Sequence, residues 1–174
     1  MRLFISIQFD DDIRKRILKV LNDCRSAGVR GRFSHDENIH LTLAFIGGYN
    51  NPQFVLDAME MVQFEPFDIE FDRLGSFGDI LWLGTKENRQ LERLADAVRR
   101  ELAADGIPYD IKKFRPHITL ARDASGIEKT AGKVFIPKEK ATVKRISLMQ
   151  STRRMNGMIY TELGCVFANF QADV

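Results

Sequence analysis

"HLTL" at residues 40–43 returns as "HITL" at residues 117–120, 77 positions apart (117 − 40), in a 174-residue chain with only three histidines. In an extended strand successive side chains point to opposite faces. Leu41 and Leu43 therefore share one face, and His40 and Thr42 the other. The second copy repeats this arrangement, with Ile118 and Leu120 facing the core and His117 and Thr119 together on the polar side. Within each copy the pair sits roughly 7 Å apart along the strand. A single strand histidine is most often a solvated or hydrogen-bonded residue. Two copies with the same order and the same polar face point to chemistry, and each implies a strand at a comparable place in its half of the chain.

Around these strands the hydrophobic periodicity places the remaining elements. "LFISIQF" alternates Leu3, Ile5, Ile7 and Phe9 against Phe4, Ser6 and Gln8, which predicts a first strand. After Asp10 to Asp12, suited to a helix N-terminus, Ile13, Ile17, Val20, Leu21 and Cys24 form one helical stripe ending near Gly28. Gly47 and Gly48 close the first motif strand, and Pro52 opens a short helix to about Val62. "FDIEF" and "ILWLGT" read as strands. "ENRQLERLADAVRRELAADG" reads as a helix with Leu91, Leu94, Ala95, Val98 and Leu102 inward, stopped by Gly106. Pro116 biases Arg115 toward extended geometry before the second motif strand, and "VKRISLMQS", Asn156-Gly157 and "YTELGCVF" predict a closing hairpin. Each half runs strand, helix, strand with further strands appended, an α+β pattern.

The length fits one domain or two small lobes sharing a core. Lysine and arginine number 26 against 24 acidic residues, a formal charge of +2 that is too mild for a sequence-independent duplex binder. Any anion site must be local. Cys24 and Cys165 have no C-x-x-C spacing and suit reduced thiols of a cytoplasmic protein. The start, "MRLFISIQFDDD", is apolar for too few residues to resemble a signal or a membrane span.

Two imidazoles with ordinary pKa values near 6.5 can divide acid and base roles at neutral pH. Each threonine hydroxyl adds a donor, a combination suited to phosphoryl transfer, where positioning and charge stabilisation dominate. Neither motif has metal-site spacing, so no metal is expected. Nucleophilic serine or cysteine chemistry lacks a G-x-S-x-G elbow or a recognisable base partner.

With its "MRLFISI", "ENIHLTLAFIGG", "FDRLGSFGDILWLG", "FRPHITLAR" and "ISLMQSTRRMNGMIYTEL", the chain resembles the two-histidine (2H) phosphoesterases, and among them the RNA 2′,3′-cyclic phosphodiesterases of the 2′-5′ RNA ligase family. The resemblance implies a bilobal fold, two antiparallel β-sheets with flanking helices related by a pseudo-twofold. Residues 1–174 would form one catalytic domain of two lobes, each contributing a His-x-Thr-x strand. It implies metal-independent hydrolysis of a 2′,3′-cyclic phosphate to a 2′-phosphate, and in some members the reverse 2′-5′ ligation. His40 would be the proton donor to the departing 3′-oxygen and His117 the acceptor activating water. Thr42, Thr119 and Arg122 would hold the phosphate. Phe33 and Arg115 are candidates for lining the cleft; His35 reads as surface loop and Trp82 as core. The implied partners are RNA ends or nucleotides bearing the cyclic phosphate, with no cofactor, no membrane and no obligate protein partner evident, in the cytoplasm. A non-catalytic module binding nucleotides or RNA ends in the same cleft is the alternative.

Overall fold

The computed structural model describes residues 1–169. In chain order the elements are β1 (Arg2–Gln8), α1 (Asp11–Ala27), β2 (Arg30–Phe33), β3 (His40–Gly48), α2 (Pro52–Glu60), β4 (Phe67–Ile69), β5 (Phe71–Phe77), β6 (Ile80–Thr85), α3 (Arg89–Ala104), β7 (His117–Ser125), β8 (Ala141–Val143), β9 (Arg145–Arg154) and β10 (Gly157–Phe167). The helices form where capping and apolar stripes coincide. Asp10 caps α1 by accepting from the Ile13 amide at 2.9 Å. Gly28, at φ 111°, ends it with amide bonds back to the last turn, a left-handed cap that a β-carbon would strain. Asn88 caps α3 through the Leu91 amide at 3.0 Å. The inward residues of both helices are those that the periodicity predicts.

Two four-stranded sheets carry the motifs, one ordered β10-β9-β1-β3 and the other β2-β7-β6-β5, while β4 and β8 form a small third sheet. All pairings are antiparallel. β3 and β7, from different sheets, lie in contact. Leu3, Ile5, Leu41 and Leu43 of one sheet and Leu81, Leu83, Ile118 and Leu120 of the other belong to one continuous buried cluster.

The expectation that each lobe is built from one half of the chain is corrected by this topology. β2 comes from the N-terminal half yet pairs with β7, and β9 comes from the C-terminal half yet pairs with β1. α3 links β6 to β7 but packs on β3 and α2. Three strands also escape the periodicity. β2 ("RGRF") has no apolar alternation, β8 is three residues long, and β5 continues from Phe71 through a stretch whose exposure does not alternate. β1 differs too: Phe4 and Ser6 are buried along with Leu3 and Ile5, because neighbouring strands flank it and its second face is also covered.

Candidate active site

The two motif strands share a local irregularity as well as a sequence. Across β1 and β3, Ile5 faces Ala44 and Ser6 faces Thr42, so Leu43 is the extra residue of a bulge. Across β6 and β7, Leu81 faces Ala121 and Trp82 faces Thr119, so Leu120 is the extra residue. A bulge sharpens local twist and re-aims side chains. Here it buries Leu43 and Ala44 in succession, and Leu120 and Ala121 likewise, leaving His-x-Thr on the cleft side.

Each histidine opens its strand and is locked in the same way. His40 Nδ1–H donates to the Asn38 carbonyl at 2.6 Å, and His117 Nδ1–H to the Arg115 carbonyl at 2.6 Å. A carbonyl can only accept, so the neutral ring carries its proton on Nδ1 and leaves the Nε2 lone pair for the cleft. Thr42 Oγ1 lies 3.1 Å from His40 Nε2 and donates to that lone pair. Asn38 is itself anchored, its side-chain amide donating to the Met158 carbonyl on β10 at 2.8 Å.

Aromatic rings frame both imidazoles. Phe4 and Tyr160 stand 5.0 and 5.2 Å from the His40 ring, and Phe77 and Trp82 stand 5.1 and 6.5 Å from that of His117. Burial under these rings disfavours the imidazolium and pushes His40 down to about 4; the charges of His117 and Arg122 add to the effect, and the Asn38 carbonyl opposes it. His117 is likewise lowered, first by burial and then by Arg122, against the Arg115 carbonyl. Both rings are therefore neutral at pH 7 in the free protein. That His40 senses both His117 and Arg122 brings these three residues, from two sheets, into one electrostatic neighbourhood.

The remaining candidates divide. Arg122 is exposed on β7 opposite Arg32, which pairs with Asp123. Arg115 is exposed, its guanidinium 5.8 Å from the centre of the Phe77 ring, and it lines a cavity of about 500 Å³ beside His117. Phe33 lies elsewhere. It lines a second cavity of about 630 Å³ with Arg25, Arg30, Ser34 and His35, and the Arg25 guanidinium covers its ring at 4.5 Å. Exposed His35 approaches Gly157 at the tip of the β9–β10 hairpin. Trp82 is not core: opposite Thr119, it shares the cleft face while Leu81 and Leu83 are buried. Alternation within "ILWLG" carried that signal. Phe4, Phe77 and Tyr160, which frame the imidazoles, had no mark in the sequence beyond being aromatic. Among the described residues, no three His, Cys, Asp or Glu side chains cluster as a metal site would require. None of the helices is long and apolar enough to cross a membrane.

Two sheets presenting matched histidine strands define the 2H phosphoesterase fold. The family model for the 2′-5′ RNA ligase superfamily matches residues 9–154, and the chain belongs to that superfamily. It is 32% identical to an RNA 2′,3′-cyclic phosphodiesterase of Archaeoglobus fulgidus over 94% of this chain and 98% of that protein. A protein of the same name from Thermotoga maritima is 27% identical, over 94% and 93% respectively. Among solved structures, E. coli LigT complexed with 3′-AMP superposes with a TM-score of 0.80 at 27% identity, covering 97% of this chain and 98% of that one. The MHV ns2 PDE domain, at 20% identity and a TM-score of 0.60, shares the fold.

Proposed function

We propose that this protein hydrolyses 2′,3′-cyclic phosphate ends of RNA or nucleotides to 2′-phosphates, with His40 and His117 as its acid and base. The observation that carries the reading is the matched locking of the two rings, each holding its proton on Nδ1 and offering Nε2, with His40 feeling the charge of His117. Relatives that match nearly the whole chain bear the name RNA 2′,3′-cyclic phosphodiesterase, which supports the substrate class.

In this mechanism His117 Nε2 takes a proton from water aligned opposite the 3′-oxygen, and His40 protonates that oxygen as the P–O3′ bond breaks. Thr42, Thr119 and Arg122 hold the nonbridging oxygens, where a guanidinium adds charge-assisted hydrogen bonds. Since His40 is neutral in the free protein, its donor role requires that the phosphodiester anion bring a proton onto the ring. An anion held against an imidazole favours the charged form. Running the same steps backward with an RNA 5′-hydroxyl in place of water would join ends by a 2′-5′ bond.

Metal independence is part of the proposal and rests on the donor set, which supplies two isolated imidazoles and no clustered carboxylates. A cytoplasmic setting is supported by two unpaired cysteines, with burial raising the Cys24 thiol to about 11 and making it inert. Incubation with a cyclic-ended oligonucleotide, followed by phosphorus NMR, tests the reaction. A 2′-phosphomonoester formed in the presence of chelator is expected. His40→Ala and His117→Ala should each lower turnover by about 10²- to 10⁴-fold. Near-native turnover by both variants would refute the assignment.

A further inference from the structure

The pseudo-twofold relation between the lobes breaks down beside the histidines. Opposite His40 and Thr42, β1 places Gln8 and Ser6, and Gln8 Nε2 donates to Ser6 Oγ at 2.8 Å. Opposite His117 and Thr119, β6 places Gly84 and Trp82. Where the first lobe sets a polar side chain against its imidazole, the second sets none. A cavity of about 500 Å³ opens there, lined among others by Phe77, Trp82, Gly84, Thr85, Lys113 and Arg115.

Its wall is a built aromatic surface. The Trp82 indole lies across two glycines: a β-carbon on Gly75 would come within 2.2 Å of the ring, and one on Gly84 within 2.9 Å. Phe77 leans on the indole at 5.1 Å and 42°, and meets His117 edge-on. Two hydrogen-bonding groups of this wall, Trp82 Nε1 and Thr85 Oγ1, are buried without a partner. Orphaned polar groups of this kind are rare and call for an explanation.

We infer that this cavity is a nucleoside subsite on the nucleophile side of the phosphorus, taking the nucleoside whose 5′-oxygen occupies the place of the attacking water. The inference rests on the function proposed above. Indole and phenyl rings match a nucleobase face, and stacking on aromatic side chains tolerates any base. Nε1 can only donate, so it needs an acceptor on the ligand's edge, which every nucleobase offers. Lys113 and Arg115 are the cations available to the phosphate that follows in an RNA strand.

A molecule filling both sides would be a 2′-5′-linked dinucleotide. In its cleavage the 3′-hydroxyl attacks phosphorus and its proton passes to His40 Nε2. The P–O5′ bond breaks, and His117 Nε2 gives its proton to the departing 5′-oxygen. A 2′,3′-cyclic phosphate and a free 5′-hydroxyl result, and joining is the reverse.

Trp82 is the only tryptophan in the chain, so its fluorescence reports the site directly. Titration of the protein with adenosine, which carries no phosphate, should change Trp82 emission saturably. Trp82→Ala should lower kcat/KM for 2′-5′-linked ApA by about 5- to 150-fold more than for hydrolysis of 2′,3′-cyclic AMP, the range expected for loss of one base stack. An equal loss on both substrates, or emission that does not respond to adenosine, would overturn the subsite. The titration needs no variant and decides the matter even if Trp82→Ala does not fold. If the wild-type protein does not hydrolyse 2′,3′-cyclic AMP, the proposed function itself falls. If it does, yet neither cleaves 2′-5′-linked ApA nor responds to adenosine, only the subsite falls.

Discussion

An imidazole that donates through Nδ1 to a carbonyl two residues upstream has one nitrogen left for chemistry, and both motif histidines are in that state. Their charge is set by surroundings that the motif does not encode. Burial and Arg122 depress both, so the productive state of the free protein, one proton shared between the two rings, is populated only on the acid side of pH 6.5. The profile of kcat/KM should accordingly be a bell. Its acid limb, near about 4, marks protonation of the base, and its alkaline limb, below 6.5, marks loss of the proton from the acid. The profile of kcat, which reports the complex, should lie at higher pH because the bound anion favours imidazolium. Arg122→Gln removes a charge that lowers both rings, so both limbs should move to higher pH while kcat/KM falls; histidine NMR titration measures the shift independently. At this scale the sequence showed His40, Thr42, His117 and Thr119, since alternation alone separates them from the core. It did not show the partners Asn38 and Arg115, whose contribution is a backbone carbonyl that any residue could provide.

At the scale of elements, α1 and α3 were legible because capping and apolar stripes agree along many residues. β2 and β8 were not, since three or four residues give alternation too little length and tertiary pairing decides them. The paired bulges at Leu43 and Leu120 lie between these cases: "HLTLA" and "HITLA" both continue with two apolar residues in succession, a break in alternation that marks the extra residue. The β5–β6 hairpin shows why glycine spacing matters on such a surface. Gly75 faces Trp82 directly, and a methyl group there cannot coexist with the indole as it lies. Gly75→Ala should therefore lift the ring from the sheet and cost about 1–3 kcal/mol of stability. Urea unfolding gives the cost, and a displaced Trp82 emission maximum in the folded variant would show that the ring has moved.

At the scale of the molecule, the depressed imidazole has a cost in stability. A histidine held neutral in the fold lets the unfolded chain bind a proton that the native state refuses, so His40 contributes destabilisation as pH falls below 6.5, growing until about 4. His40→Gln should lose less thermal stability than the wild type between pH 7 and 4.5, measured as the difference in Tm at the two pH values. The exchange of elements between lobes makes a larger claim. β2 and β9 each pair across the midpoint of the chain, and α3 leaves the second sheet to pack on β3 of the first, so neither lobe can be completed without chain from the other half. The continuous buried cluster gives them one core rather than two. Loss of one lobe would strip the other of a strand or a helix and expose apolar surface on both, which favours a single transition. Trp82 fluorescence follows the second sheet alone, whereas far-UV circular dichroism follows every element. The two signals should fall on one curve in urea, with the same midpoint and slope; separation of the curves would mean that the lobes fold as independent units and that the exchanged elements contribute little to joining them.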